Sequence, residues 1–383
     1  MRDVGAPFQA RVDQAVLEDL KRRLARTRWP DEQAGVEWQL GVPLDYMRRI
    51  TDHWRDVFDW RAWEARINRH EQRIIDLDGQ PLHVLIERGS GPNPLPLLLV
   101  HGWPGSFLEF IDLIDPLAHP ERFGGREEDA FTVIVPSLPG FGFSPAAAAM
   151  PAPGDFGLLW HKLMVDALGF DRYVAQGGDK GATSISMLAL RHPEKLAAIH
   201  LNMLGLFPYG PLANPDDAEE NAWLAELNAS LAREGGYVHI QSTKPQTLGY
   251  GLTDSPAGMA AWILEKFHAW TIQGERRDPP FSMDHLLANV MLYWINGINA
   301  ANRTYVPMAN RQIVSASEGA RVEVPTGFTL FGRDIIPMPP RSLLERLYNV
   351  QHIRTSAGGG HFAAMENGQM LIEDMRAFFS SFR

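Results

Sequence analysis

Cysteine is absent from all 383 residues. That absence excludes disulfides, thiolate nucleophiles, iron–sulfur clusters and cysteine-based zinc sites together. An excess of basic charge is lacking as well: 36 Lys and Arg stand against 46 Asp and Glu, for a net charge of -10. Nucleic acid is therefore not expected as a partner, because phosphate binding needs clustered Lys and Arg. Long apolar runs are missing too. A stretch such as PLPLLLV, ending at Val100, falls far short of the roughly 20 residues that span a bilayer. The polar opening MRDVGAPFQARVDQ carries no apolar core of a secretion signal. The expectation is a cytoplasmic, soluble chain with no membrane anchor. What is present, 45% hydrophobic and 21% charged residues, suits a globular protein with a large core.

The period of the apolar residues changes along the chain. Residues 1–70 read as helical: Val12, Val16, Leu20 and Leu24 recur every four residues, and Met47, Ile50, Trp54 and Val57 step by three and four. This Trp- and Arg-rich region reads as a packing extension. From residue 71 the pattern shortens. RIIDLDGQPLHVLIERG holds two apolar strands around Asp78-Gly79, a hairpin signal. PLPLLLV, AFTVIVPSL, RYVAQGG and AAIHLNML read as buried strands, with helices in GDFGLLWHKLMVDALGF and ATSISMLALRHP. SPAAAAMPAPG reads as a small-residue loop. Strands alternating with helices predict an α/β fold with a mostly parallel central sheet. Over 206–315 the strand signal gives way to helices, as an insertion would. It resumes over 316–383 with TGFTLFGRD, QHIRTSAGG and a closing helix. The expected division is thus a helical extension (1–70), a core in two parts (71–205 and 316–383) and an inserted helical lid (206–315).

Reactive residues of such sheets gather where strands end. Gly177-Gly178-Asp179-Lys180-Gly181 lies between a strand and a helix and has the small-x-nucleophile-x-small pattern of a nucleophile elbow, with Asp179 in the nucleophile's place. Taken alone, Asp179 would be an ordinary helix cap. His361 follows the last strand, where this architecture carries its general base, and Asp334 ends the strand before it, where it would orient His361. The rival position for the acid, after AAIHLNML, offers Asn202 and no carboxylate. HGWPGS, His101 to Ser106, follows another strand and nominates the Trp103 amide for an oxyanion hole, with the Lys180 amide as its partner. His101 reads as a residue that holds the loop's shape, and Trp103-Pro104 as a candidate cis bond.

HGWPGSFLEF, VPSLPGFGFS, GGDKGA, HIQSTKPQTLGYGLTDSPAGMAAWILEKF and GGHFAAMENG together resemble the epoxide hydrolases of the α/β-hydrolase superfamily. The resemblance is to the branch of the microsomal and juvenile-hormone enzymes and covers essentially the whole chain. It implies an α/β-hydrolase fold with a helical lid and an N-terminal helical extension. It also implies hydrolysis of an epoxide to a vicinal diol through an ester on Asp179, cleared by water that His361 and Asp334 activate. Two lid tyrosines, which hold and protonate the epoxide oxygen in the family, match Tyr237 and Tyr305; their residue type and context alone would mark them as packing aromatics. Trp103 and Pro104 are expected to face the substrate. No metal or organic cofactor is implied. The expected partner is a small, mainly apolar epoxide, and a homodimer is left open. Lys180 departs from the family, which usually has an aromatic residue after the nucleophile. The rival readings are a haloalkane dehalogenase-like hydrolase, which shares the Asp nucleophile, and a non-catalytic binding protein of the same fold.

Overall fold

A computed structural model describes residues 1–147, 155–207, 211–272, 278–310 and 316–383; part of the SPAAAAMPAPG loop lies outside them. Nine strands form one sheet. They are β1 (Ala6–Pro7), β2 (Glu71–Leu77), β3 (Gln80–Glu87), β4 (Leu95–Val100), β5 (Phe131–Pro136), β6 (Tyr173–Gly177), β7 (Leu196–Leu201), β8 (Val322–Arg333) and β9 (Tyr348–Gly360). Their order is β1-β2-β3-β5-β4-β6-β7-β8-β9. The pairs from β1 to β5 through β3 are antiparallel and the rest parallel. The fold is that of an α/β hydrolase.

The strands form where the apolar runs are continuous. β5 is buried at every residue and Leu97 to Val100 of β4 are fully buried, which parallel strands covered on both faces require. The β2–β3 hairpin turns at Asp78 and Gly79, both at positive φ, and the Asp76 carboxylate accepts the Gly79 N–H at 2.8 Å.

Strand order reverses across β4, which has β5 on one side and β6 on the other, and this opens a crevice beyond the strands' carboxyl ends. Register then fixes which loops meet there. Val100 of β4 pairs with Gly177 of β6, so HGWPGS starts beside the Asp179 turn. Arg333 of β8 pairs with Gly360 of β9, so Asp334 and His361 leave the sheet side by side.

Between β7 and β8 the described elements are helical. Three of these helices were expected: Ala218–Glu234, Pro256–Ala269 and Met283–Asn296. Gly236–Thr243, Pro245–Asp254 and Ile298–Arg303 were not, since their short, Gly- and Pro-punctuated sequences carry no long apolar period. The N-terminal helices Gln14–Ala25 and Leu44–Asp56 pack against Pro256–Ala269. Beside that contact Arg23 pairs with Asp254, at the end of the helix Pro245–Asp254, at 2.9 Å, and His53 meets Asp284 of the helix Met283–Asn296 at 2.6 Å.

Three stripe residues are corrected by the structure. Val16 is exposed, because the inward line of its helix runs through Leu17, Leu20 and Leu24 and leaves Val16 at the edge of that face. Val12 is buried, but ahead of the helix, where its N–H donates to Glu64. Val57 is 66% exposed because its helix has already ended at Asp56. Among the described residues no helix is long and apolar enough to cross a membrane.

Candidate active site

Asp179 sits at φ 48° and ψ -124°, a strained backbone for a residue with a side chain. It immediately precedes the helix Lys180–Arg191, but its side chain makes no capping hydrogen bond. The carboxylate instead points at the HGWPGS loop, where the Trp103 amide donates to its Oδ1 at 2.9 Å. The turn is tight enough to demand glycine. A Cβ on Gly181 would lie 2.0 Å from the Val100 carbonyl oxygen, and one on Gly102 would lie 2.3 Å from Asp179 Oδ1.

The loop that presents Trp103 is held from several sides. Trp103-Pro104 is cis. His101 accepts the Leu138 N–H on Nε2 at 3.2 Å, which leaves Nδ1–H to donate to the Gly102 carbonyl at 3.0 Å. Burial holds His101 down at about 4, so the ring is neutral and fits that tautomer. From the helix Met283–Asn296, Asn289 donates to the Pro104 carbonyl and Tyr293 to that of Gly105, each at 2.7 Å.

His361 Nε2 lies 3.6 Å from the second oxygen of Asp179. Its Nδ1 meets Asp334 Oδ1 at 2.8 Å, with both side chains almost fully buried. Burial works against the imidazolium. The Asp334 carboxylate and its hydrogen bond, with Asp179 and Glu109 beyond, outweigh it and hold His361 up at about 9. Asn202 accepts a 2.9 Å hydrogen bond from Gln176 behind the elbow.

Tyr237 and Tyr305 are both buried, and the Asp179 charge acts on both. Tyr237 stacks on Trp103 with centroids 4.5 Å apart, and Tyr305 meets the same indole edge-on at 5.9 Å. The tyrosine rings are 5.7 Å apart and meet edge-on at 78°. Burial first, then neighbouring charge, pushes both phenols well above their ordinary range, so they are proton donors at any physiological pH. Lys180 reaches over Tyr305, its ammonium 3.5 Å from the ring centroid. Burial draws that ammonium down to about 8 against the pull of Asp179.

Several residues of this site carry no sequence signal read above. Glu109 borders, with Gly102, Gln176, Asp179 and His361, a cavity of about 10 Å³, room for one water. Burial pushes its carboxyl up to about 8, with His361 opposing. Glu366 pins the His361 loop by accepting the Gly360 N–H at 3.0 Å and the Ile272 N–H at 3.3 Å. Trp270 packs edge-on to His361 at 4.9 Å and accepts its N–H at 2.9 Å. Both Glu109 and Glu366 lie within motifs already singled out, HGWPGSFLEF and GGHFAAMENG, but nothing local marks an acid there as buried. Among the described residues one cluster, His70, Glu87 and Asp115, could offer a metal three ligands. It lies by the other end of the sheet, since Glu87 pairs with Val133 near the start of β5.

Comparison with known proteins gives the family of the chain. Residues 5–110 match the family described as Epoxide hydrolase N terminus, and residues 96–233 match the alpha/beta hydrolase fold. Epoxide hydrolase 1 of Sus scrofa is 34% identical over 404 residues, covering 97% of this chain and 88% of the relative. The solved epoxide hydrolase of Aspergillus niger superposes with a TM-score of 0.84 at 29% identity, over 99% of this chain and 97% of that one. The juvenile hormone epoxide hydrolase of the silkworm Bombyx mori does so with a TM-score of 0.87 at 28% identity, over 100% and 95%. With a likeness that covers 97% of its length at 34% identity, the chain belongs to the epoxide hydrolase family and is a hydrolase of the α/β-hydrolase fold.

Proposed function

We propose that the protein opens an epoxide with Asp179 as nucleophile and releases a vicinal diol. One observation carries this reading: a carboxylate stands on the strained elbow, one oxygen held by the Trp103 N–H and the other facing His361, with two buried phenols packed on the same Trp103. An epoxide has no acyl group, but its strained carbon accepts a carboxylate oxygen in line. The ring C–O bond breaks as the Asp179 ester forms, and Tyr237 and Tyr305 hold the leaving oxygen and give it a proton. Water deprotonated by His361 then attacks the ester's carbonyl carbon. The small cavity beside Asp179 and His361 is a place for that water. The Trp103 and Lys180 amides are proposed as the oxyanion hole, each such donor worth about 3–4 kcal/mol elsewhere. The aromatic walls of Trp103, Tyr237 and Trp270, next to Pro104, favour an apolar substrate, and no step calls for a metal or organic cofactor.

The test is diol formation across a panel of aryl, alkyl and lipid epoxides, with one turnover in ¹⁸O-labelled water. Label should enter Asp179, and Asp179→Ala should be inactive. Label found only in the diol after a single turnover, or activity in Asp179→Ala, would overturn the scheme. A second reading, dehalogenation of a haloalkane, is favoured by the buried Trp103 Nε1, which has no hydrogen-bond partner among the described residues and would suit a halide. A chloroalkane included in the panel separates the two.

A further inference from the structure

Lys180 is the residue that the chemistry above leaves with only its backbone in use. It opens the helix Lys180–Arg191, where the peptide dipoles disfavour a cation. Among the described residues its ammonium has no hydrogen-bond or ion-pair partner; what it meets is the face of Tyr305, at 3.5 Å. The nearest anion acting on it is Asp179, which it does not reach as an ion pair.

The proposed ring opening moves negative charge in a known direction. It leaves Asp179, which becomes a neutral ester, and arrives on the epoxide oxygen and then, as the proton is handed over, on the phenol that gave it. For Lys180 the charge leaves a group beyond ion-pair reach and enters a ring that its ammonium already touches. An interaction that strengthens between ground state and transition state accelerates the step, whereas one that is equal in both does not.

We propose that Lys180 acts through Tyr305 as an electrostatic positioning residue: its ammonium, seated on the ring face, stabilises the tyrosinate that forms when Tyr305 protonates the opening epoxide. This rests on the function proposed above and deepens it. The step balances without any further reactant. The Asp179 oxygen–carbon bond forms, the ring C–O bond breaks and the oxygen takes the Tyr305 proton; the imidazolium proton of His361 restores Tyr305, water then gives one proton to His361, and its other proton goes to the alcohol oxygen as the ester's acyl C–O bond breaks. It also gives a reason for a lysine where relatives of this fold usually place an aromatic residue: the position lies against the acid, and an ammonium tunes it.

The experiment measures ester formation directly, by rapid quench and intact mass, using the panel epoxide that the wild-type protein consumes fastest. Lys180→Met should slow ester formation by roughly 5- to 30-fold, the range expected of a desolvated cation–π contact, and slow ester hydrolysis less. Lys180→Arg, which keeps a cation, should recover most of the rate. On a Tyr305→Phe background Lys180→Met should add nothing. Lys180→Gln gives the same reading if the methionine variant fails to fold. Wild-type ester formation in Lys180→Met or Lys180→Gln overturns the proposal, and so does a full additive loss in the Tyr305→Phe background. A loss confined to the KM of epoxides that carry a carboxylate overturns it as well, because the ammonium would then be binding substrate. If the wild-type protein forms no Asp179 ester with any panel member, it is the function proposed above that fails, and the two failures are distinct.

Discussion

Replacing Asp334 by asparagine removes one charge and keeps the shape. Asp334 Oδ1 takes two donors, His361 Nδ1 at 2.8 Å and the Ile336 N–H at 3.2 Å, while its Oδ2 has no partner among the described residues. An asparagine amide therefore has one satisfied orientation, with its oxygen toward both donors and its NH₂ in the unpartnered place. His361 keeps its tautomer and loses a carboxylate. Burial alone would put His361 below 6.5, yet it is held up at about 9, a rise of roughly 2.5 units in which Asp334 is the largest favourable contributor. At 1.36 kcal/mol per unit the imidazolium is favoured by about 3 kcal/mol. Losing Asp334, the largest support of that charge, from the transition state in which His361 takes a proton from water slows ester hydrolysis by about 10- to 10²-fold. Ester formation does not use the base and should change less than about threefold, so the Asp179 ester should accumulate and be seen by mass spectrometry. Stability gives a second readout, with the sign fixed by linkage. A histidine whose folded pKa lies above its unfolded 6.5 contributes stability that is whole below pH 6.5 and lost as pH rises through about 9. Urea unfolding of the wild-type protein should show that loss, and Asp334→Asn should flatten it. An Asp334→Asn enzyme that hydrolyses its ester at the wild-type rate, or that is slowed equally in both steps, would refute the role of Asp334 and His361 as a base pair.

The remaining expectations test the lid and the elbow. Tyr237→Phe and Tyr305→Phe should each slow ester formation by about 10²-fold and leave ester hydrolysis nearly unchanged. A deficit confined to hydrolysis would remove the tyrosines from ring opening. Gly181→Ala should destabilise the fold by roughly 1–3 kcal/mol and lower turnover, because its Cβ meets the Val100 backbone oxygen at 2.0 Å and that oxygen can yield only by moving β4 and the loop it leads into. A wild-type melting temperature with wild-type turnover would show that the elbow is looser than this geometry.

What could be read from sequence was whatever is written locally or at short period. The Asp78-Gly79 turn, the continuous apolar strands and the small-x-Asp-x-small turn are of this kind: a few adjacent residues fix the backbone, and burial on both faces fixes the composition. The N-terminal stripe was half legible. Leu20, Leu24, Met47, Ile50 and Trp54 are buried as the period predicts, but a four-residue step drifts around a 3.6-residue helix, which is how Val16 came to be placed on the wrong side. The helix Gly236–Thr243 lies on a short, Gly-led segment that patterning does not mark, and only the family resemblance pointed to Tyr237 within it. Glu109 and Glu366 were invisible for a different reason. A carboxyl's environment is made by chain far away in sequence, His361 for Glu109 and Ile272 for Glu366, so no window around either residue contains the cause.

The same long-range electrostatics bear on why a two-step reaction runs in order at this site. In the resting enzyme Asp179 is one of the charges that keep His361 protonated, so the base is held inactive while the nucleophile is free. Forming the ester removes that charge. Of the pulls that raise His361, Asp334 then remains with the more distant Glu109, while the burial that opposes them is unchanged. His361 therefore moves toward its neutral, basic form at the moment an ester exists to be hydrolysed. Single-turnover profiles should show it: the alkaline rise in ester hydrolysis should lie below the pH at which His361 of the unliganded enzyme titrates by NMR. Coincidence of the two would mean that Asp179 does not set the timing of its own release.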